Sequence, residues 1–195
     1  MLRVIFDSQA FEFPEGLSLL QALEASGHHV PHLCHDDRLQ PHGGCRVCTV
    51  TVEGEARPVA SCCTPLREGM VVHTRTPALQ ALRQTNLSLV ATHYPARVTA
   101  AEPDRPFHRL LAEHGVTAGD HECTIKFSDT THPYLGIDMD RCIHCERCVR
   151  ICDEVQGQFI WQTWGRGEDT HVATHDRQSL LDSGCVSCGA CADTC

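Results

Sequence analysis

The chain has few aromatic residues and no long apolar segment. Aromatic side chains make up only 5% of its 195 residues, which predicts a modest apolar core. No apolar run approaches the roughly 20 residues of a membrane-spanning helix, so any membrane association would come through another subunit. The start of the sequence also lacks the charged and apolar regions of a signal peptide and the twin arginines of an export signal. We therefore expect a cytoplasmic protein without direct membrane contact.

Motifs for catalysis are missing as well. The sequence contains no G-x-G-x-x-G, no P-loop and no acid–base pair at a cleft-forming motif, so we expect no catalytic residue within this chain. Its formal net charge is −9, which disfavours nucleic acid as a partner. A basic face on another protein is the expected docking partner.

Cysteine, by contrast, is abundant. Twelve of the 14 cysteines fall into three groups with the spacing of iron-sulfur ligands. Serial C-x2-C pairs allow thiolates from a single turn to close on one metal centre, and disulfide frameworks rarely contain them. The spacing therefore predicts bound clusters rather than disulfides. With about −2 for each cluster and its four thiolates, the net charge would reach about −15.

The first group predicts one [2Fe-2S] cluster. Its spacing is C-x10-C-x2-C-x13-C, which differs from plant-type ferredoxins in the longer first gap. The expected ligands are Cys34, Cys45, Cys48 and Cys62. Cys63 is the alternative to Cys62 as fourth ligand, and we expect Gly43 and Gly44 to let backbone N–H groups approach the cluster sulfides. A closed zinc site is the main alternative, but such sites usually contain two C-x2-C knuckles.

The other two groups predict two [4Fe-4S] clusters. Each is a C-x2-C-x2-C-x3-C run of the bacterial ferredoxin type, in which the fourth cysteine ligates the other cluster. The expected sets are Cys142, Cys145, Cys148 and Cys195 for one cluster, and Cys185, Cys188, Cys191 and Cys152 for the other. Tandem zinc sites would explain the number of cysteines but not two identical runs. Cys123 stands apart and is expected to be a small buried side chain.

Hydrophobic patterning predicts an α+β protein in three parts. Residues 1–76 read as a β-grasp domain, 77–133 as a helical connector and 134–195 as a dicluster ferredoxin-like domain. The expected elements are strands at 2–6, 10–13, 49–52, 57–60, 71–74, 159–164 and 171–174, and helices at 17–26, 77–93 and 107–114. Trp161 and Trp164 are expected to pack beside the clusters and exclude water.

Several stretches together resemble the N-terminal ferredoxin region of cytoplasmic molybdenum- or tungsten-dependent formate dehydrogenase α subunits. They are 31–34, 43–48, 61–62, 140–142 and 183–191. Similar regions occur in the large iron-sulfur subunit of respiratory complex I and in iron hydrogenases. The resemblance implies a module that carries electrons between a molybdopterin site oxidising formate and a flavin-containing, NAD-reducing partner. A diaphorase-type subunit of a soluble hydrogenase or a free ferredoxin-like carrier is the alternative, and a zinc-stabilised adaptor is the least favoured.

The sequence departs from that family at two places. The family usually holds another four-iron cluster through H-x3-C-x2-C-x5-C, whereas here His93 is followed by Arg97, Ala100 and Pro106 at the cysteine positions. We therefore expect this cluster to be absent. The family also continues into a large molybdopterin domain, whereas this sequence stops at Cys195. Because a terminal carboxylate beside an anionic cluster is unfavourable, we expect the natural chain to extend further.

Overall fold

A computed structural model describes residues 1–119 and 127–195 of the chain. These residues form two compact units. The first consists of 1–35, 41–89 and 105–116, and the second of 36–40, 90–104 and 117–195. The prediction for Cys123 lies outside the described residues. Among the helices described, none is long and apolar enough to cross a membrane.

The first unit is built on a five-stranded mixed sheet. Its strands are β1 (Leu2–Phe6), β2 (Gln9–Phe13), β3 (Thr49–Val52), β4 (Val59–Ala60) and β5 (Val71–His73). The strand order is β2-β1-β5-β3-β4, with β1 parallel to β5 and the other pairs antiparallel. One helix, α1 (Leu19–Ala25), contributes to the same core. This arrangement confirms the predicted β-grasp fold.

Helix α1 begins and ends at local signals in the sequence. The side chain of Ser18 accepts a hydrogen bond from the Gln21 backbone N–H, and the Gln21 side chain accepts one from the Ser18 N–H. This capping box satisfies two backbone donors that the helix leaves unpaired. Gly27, with φ +81°, follows the helix in the left-handed conformation. The helix is therefore shorter than the predicted 17–26.

Three helices follow the sheet in the sequence: α2 (Pro77–Ala91), α3 (Ala96–Ala101) and α4 (Pro106–Glu113). Pro106 is the first residue of α4, where proline's missing N–H costs no hydrogen bond. In the first unit, the buried Arg83 of α2 donates to the Thr49 carbonyl at 2.9 Å. Pro95 likewise stands at a helix start, as the N-cap residue of α3.

Among the described residues, the second unit contains two small antiparallel sheets, α3 and two further short α-helices. The sheets pair β6 (Ser128–Asp129) with β7 (Ile137–Asp138), and β8 (Trp161–Trp164) with β9 (His171–Thr174). Helix α5 (Arg147–Arg150) continues into a π-helical turn at Ile151–Val155, and α6 (Ala190–Thr194) precedes Cys195. Strand β8 starts later than predicted because Phe159 adopts a left-handed conformation, with φ +54°.

Asp129 ties β6 to the segment that leads into the third cysteine group. One carboxylate oxygen accepts from the Thr131 N–H and hydroxyl at 2.9 and 2.6 Å, and the other accepts from the Leu180 N–H at 2.8 Å. Asp129 is buried, and the hydrogen bond from the Thr131 hydroxyl is the largest influence that lowers its carboxyl pKa. The ionised side chain therefore stabilises the fold.

We expect the Asp129→Asn substitution to destabilise the second unit. An amide has only one acceptor oxygen, so the donors of either Thr131 or Leu180 would face its NH2 group. The expected loss at pH 7 is about 2 kcal/mol, or a Tm lowered by about 4–8 °C. Thermal unfolding of the cluster-loaded protein measures this. Asp104→Asn, the same change at an exposed position, is the control, and equal Tm values for the two variants would contradict the prediction.

Candidate iron-sulfur cluster sites

The first cysteine group is assembled around the end of β3 in the first unit. Cys34 and Cys45 share a hydrogen bond, and the sulfurs of Cys48 and Cys62 lie 3.4 Å apart in a second hydrogen-bonded pair. Cys34, Cys48 and Cys62 are buried, whereas Cys45 is partly exposed. Charge on Cys45 also influences Cys48, so the two pairs adjoin. The structure therefore gathers all four predicted side chains.

Each pair is biased towards one thiolate and one thiol. The hydrogen bond with Cys34 lowers the pKa of Cys45 to about 5, and the one with Cys62 lowers the pKa of Cys48 to about 6. The same bonds, together with burial, raise the pKa of Cys34 and of Cys62. Because thiolates are the metal-binding form of cysteine, two of the four groups are ready for a metal centre at neutral pH.

Cys62 and Cys63 differ sharply in their surroundings. The Cys62 side chain is buried next to Cys48, while Cys63 is exposed, with its sulfur 3.6 Å from that of Cys62. A Cβ atom at Gly43 would lie 2.7 Å from the Cys63 sulfur, so glycine is needed there to accommodate this thiol. The backbone N–H of Gly44 lies near Cys34 and slightly opposes the rise in its pKa. These contacts favour Cys62 as the inward-facing thiol of the two.

The second and third groups have the same loop geometry, 43 residues apart (185 minus 142). In each loop the N–H two residues after the first cysteine donates to its sulfur at 3.4 Å: His144 to Cys142, and Ser187 to Cys185. Both donors have left-handed backbones, with φ 52° and 58°. The internal duplication in the sequence is therefore also a duplication of backbone conformation.

The equivalence extends to the helices that follow. Glu146 and Gly189 are both left-handed, with φ 58° and 76°, and each caps the short helix that carries the third cysteine of its run. A left-handed residue at this point turns the chain so that the helix starts directly after the second cysteine. The three cysteines of each run are thus brought to one side of a tight loop.

Cys152 lies with the third group rather than with its own run. A small cavity in the second unit has four cysteines among its lining residues, namely Cys152, Cys185, Cys188 and Cys191. Cys152 sits in the π-helical turn, is buried, and accepts a hydrogen bond from the Ile160 N–H at 3.5 Å. A wider helical turn of this kind is frequent at functional sites.

The remaining cysteines of the unit meet at Cys148. Burial is the main influence that raises the pKa of its thiol. The other influences that raise this pKa are negative charges on neighbouring cysteines, namely Cys142, Cys145, Cys195 and Cys191. Such mutual repulsion acts only between nearby groups, so the C-terminal cysteine lies close to the first three of the other run. Two separate sets of four cysteines result, and they adjoin at Cys148 and Cys191.

His132 supports the third loop, a role that no motif in the sequence indicates. Its Nδ1 accepts from the N–H groups of Tyr134 and Leu135 at 3.1 and 3.0 Å. The neutral ring then carries its proton on Nε2 and donates to the Ser187 hydroxyl at 2.8 Å. Ser187 in turn donates its backbone N–H to Cys185. The buried His132 therefore helps to fix the loop between two cysteines of the third group.

The long first gap of the first group contains residues that belong to the second unit. Arg38 pairs with Asp36 at 2.7 Å and with Asp193 at 2.6 Å, and Asp36 accepts from the Thr194 hydroxyl at 2.8 Å. Arg38 is the main cause of the well-lowered pKa of Asp36. The extra residues of the gap thus bind α6, which carries Cys191 and leads to Cys195.

In the connector, the four positions of the H-x3-C-x2-C-x5-C pattern are distributed over both units. His93, Arg97 and Ala100 belong to the second unit, while Pro106 starts α4 in the first. Arg97 forms an ion pair with Asp140 at 2.7 Å. His93 lies near enough to His144 to contribute, after burial, to lowering the pKa of the His144 ring. At the first of the three cysteine positions the chain therefore has Arg97, whose side chain pairs with the segment just before Cys142.

The donor chemistry of the two units fits iron-sulfur clusters. Thiolates are the ligands that such clusters take, and backbone N–H groups directed at their sulfurs are a usual feature of these sites. Within residues 1–119 and 127–195, no three His, Cys, Asp or Glu side chains converge closely enough for a single metal ion. A multi-iron cluster holds its thiolates farther apart than one ion does, and four of the cysteines line one cavity.

Comparison with known proteins agrees with this donor set. Residues 1–77 match the 2Fe-2S iron-sulfur cluster binding domain. Residues 132–195 match the ferredoxin-like domain of NADH-quinone oxidoreductase subunit 3. The chain therefore is an iron-sulfur electron-transfer module in which a 2Fe-2S domain precedes a cysteine-rich ferredoxin-like domain.

More specifically, the chain is similar to part of the large iron-sulfur subunit of complex I. An NADH-quinone oxidoreductase subunit of Rhizobium meliloti (strain 1021) is 32% identical over 100% of this chain and 23% of the relative. The NADH-ubiquinone oxidoreductase 75 kDa subunit of Reclinomonas americana is 34% identical over 90% of this chain and 26% of the relative. The chain thus spans about a quarter of the length of these curated relatives.

A solved structure is also similar. It is a chain of an NAD+-reducing [NiFe]-hydrogenase, crystallised in the H2-reduced state. The TM-score is 0.77 at 29% sequence identity, and the match covers 89% of this chain and 74% of that one. Regions similar to this chain thus occur in subunits of NADH-quinone and NADH-ubiquinone oxidoreductases and in an NAD+-reducing hydrogenase.

Serine substitutions at the adjacent cysteines distinguish the fourth ligand of the first group. We expect Cys62→Ser to abolish or alter the [2Fe-2S] EPR signal of the reduced protein, because Cys62 is the buried thiol beside Cys48. Cys63→Ser should leave the signal unchanged. The opposite pattern, with the signal sensitive only to Cys63→Ser, would assign the ligand to Cys63.

Proposed function

We propose that the chain relays electrons through three iron-sulfur clusters within a larger oxidoreductase. One [2Fe-2S] cluster would be held by Cys34, Cys45, Cys48 and Cys62. One [4Fe-4S] cluster would be held by Cys142, Cys145, Cys148 and Cys195. The other would be held by Cys185, Cys188, Cys191 and Cys152. The observation that supports this best is the cavity at which Cys152 joins the cysteines of the other run.

The protein's own part in electron transfer is to hold and shield the thiolates. Iron-sulfur clusters supply one-electron oxidation and reduction. The chain provides thiolates, N–H donors for their negative charge, and apolar side chains that limit access of water. In the second unit the shielding core includes Ile137, Ile160, Trp161 and Leu180, packed against the cysteines. A site that changes little in shape on reduction favours fast electron transfer.

For the parent complex, we propose a molybdopterin-dependent formate dehydrogenase. The motifs that resemble its α subunit, at residues 31–34, 43–48, 61–62, 140–142 and 183–191, support this proposal. The module would then pass electrons between the formate-oxidising site and a flavin-containing partner that reduces NAD. The catalytic residues for formate would lie outside this chain.

A diaphorase-type subunit of an NAD-linked hydrogenase is the second candidate. It is supported by the structural match, which extends over 74% of a chain from an NAD+-reducing [NiFe]-hydrogenase, whereas the curated relatives are much longer than this chain.

Elemental analysis of the tagged chain, purified anaerobically from its native host, tests these proposals together. We expect about 10 iron atoms per chain (2 plus 4 plus 4), with matching acid-labile sulfide. Co-purifying molybdenum or tungsten would favour the formate dehydrogenase, and nickel the hydrogenase. Zinc in place of iron would refute the electron-transfer role and favour a structural adaptor.

Serine substitutions at the fourth cysteines test the exchange of ligands between the two runs. We expect Cys152→Ser to affect the same four-iron EPR signal as Cys188→Ser, because both side chains line one cavity. Cys195→Ser should affect the same signal as Cys145→Ser. If Cys152→Ser instead affected the signal that depends on Cys145, each run would hold its own cluster.

A further inference from the structure

Helix α2 is hydrogen-bonded to the cysteine-bearing turn of the first unit. Arg83 donates to the carbonyl of Thr49 at 2.9 Å, and Asn86 donates to the carbonyl of Arg46 at 3.1 Å. These two carbonyls lie on either side of Cys48 in the sequence. Because residues three positions apart are neighbours on one face of a helix, a single face of α2 holds the backbone before and after a proposed ligand.

Arg83 is a buried charge without the usual compensation. It is 7% exposed, and its Nε is buried without a hydrogen-bond partner. Among the described residues its guanidinium forms no ion pair with a carboxylate, and its hydrogen bond goes to the uncharged carbonyl of Thr49. A buried charge is costly unless an opposite charge compensates it. An anion is therefore expected close to Arg83.

Among its charged neighbours, Cys48 attracts Arg83 most strongly. Burial lowers the pKa of the guanidinium, and negative charge on Cys48 is the largest influence that raises it, ahead of Asp7. The Cys48 side chain is itself fully buried, and the hydrogen bond to Thr49 keeps Arg83 beside it. An arginine side chain stays protonated at neutral pH. A fixed positive charge thus lies in the buried surroundings of the first cysteine group.

We propose that the buried charge of Arg83 stabilises the [2Fe-2S] cluster of Cys34, Cys45, Cys48 and Cys62, and its reduced state most, so that it raises the reduction potential. This inference rests on the proposed function, since it requires that cluster at that site. Uptake of one electron from an external reductant changes the total charge of cluster and thiolates from about −2 to about −3. No bond forms or breaks, and no proton moves.

The direction of the effect follows from electrostatics. A positive charge attracts a centre of charge −3 more strongly than one of charge −2. Arg83 therefore lowers the free energy of the reduced state more than that of the oxidised state. The burial of Arg83 and Cys48 preserves this difference, because salt screens buried charges much less than exposed ones.

Redox titration of the full cluster-loaded chain tests the inference, with dithionite as reductant and EPR as readout. Arg83→Gln removes the charge but keeps a side-chain N–H donor for the carbonyl of Thr49. At a fixed potential we expect the ratio of reduced to oxidised [2Fe-2S] cluster to fall about tenfold, which corresponds to about 59 mV. Arg83→Lys keeps a positive charge and should change the ratio less than about threefold.

Arg75→Gln is the matched control, because it removes an exposed arginine charge close enough to influence Arg83. It should leave the potential unchanged, since water and salt screen an exposed charge. An unshifted potential in Arg83→Gln would overturn the inference, as would an equal shift in Arg83→Lys or in Arg75→Gln. The electron-transfer role would then remain intact, whereas a wild-type protein without a [2Fe-2S] signal would overturn both.

Cluster loading is the second readout if a variant does not acquire its two-iron cluster. Iron content and the amplitude of the [2Fe-2S] EPR signal measure it. Loading of Arg83→Lys but not of Arg83→Gln would support the inference, because the anionic cluster would then require the positive charge. Failure of both variants, or of Arg83→Lys alone, would overturn it, because a positive charge would then not be the property that the site needs.

Discussion

The constraint on which the rest of the structure depends is the gathering of negative thiolates in partly buried positions. Thiolates repel one another, and burial further penalises their charge. The chain meets this problem with N–H donors aimed at sulfur, such as those of His144, Ser187 and Ile160. The loops must therefore adopt left-handed turns that expose backbone N–H groups, and these turns recur after the first and the second cysteine in both runs.

The two units supply rigid frames for these loops in different ways. In the first, a mixed sheet and α1 form an apolar core that includes Leu19, Leu20 and Leu23. Cys48 directly precedes β3, and Cys62 lies just after β4. In the second, the strands are only two to four residues long, and cysteine side chains are themselves part of the core. Hydrogen bonds of polar side chains, notably Asp129 and His132, therefore contribute more to holding the segments of the second unit together. A protein with few aromatic residues can in this way hold three cysteine groups.

Local patterns predicted much of the fold. The strands predicted at 2–6, 49–52 and 171–174 are confirmed without change. The errors lie at the ends of elements, where one residue sets the boundary. Ser18 caps α1, so the helix begins later than predicted, and the left-handed Phe159 shifts the start of β8 to a later residue. From sequence alone, Trp161 and Trp164 have the same expected role beside the clusters. Of the two, only Trp161 lines the cavity with the cysteines. The reason is that segments far away in the sequence determine which face of a short strand is packed against a site.

The sequence by itself determined the chemistry of the protein, because cysteine spacing within a loop limits which sulfurs one metal centre can reach. It also determined the duplicated runs and the α+β fold class. Tertiary structure decided what local spacing leaves open: that Cys62 is buried and Cys63 exposed, that Cys152 lies with the third group, and that residues 36–40 bind α6. The physical reason is that burial and charge at these positions arise from contacts between segments far apart in the chain, which no local pattern specifies.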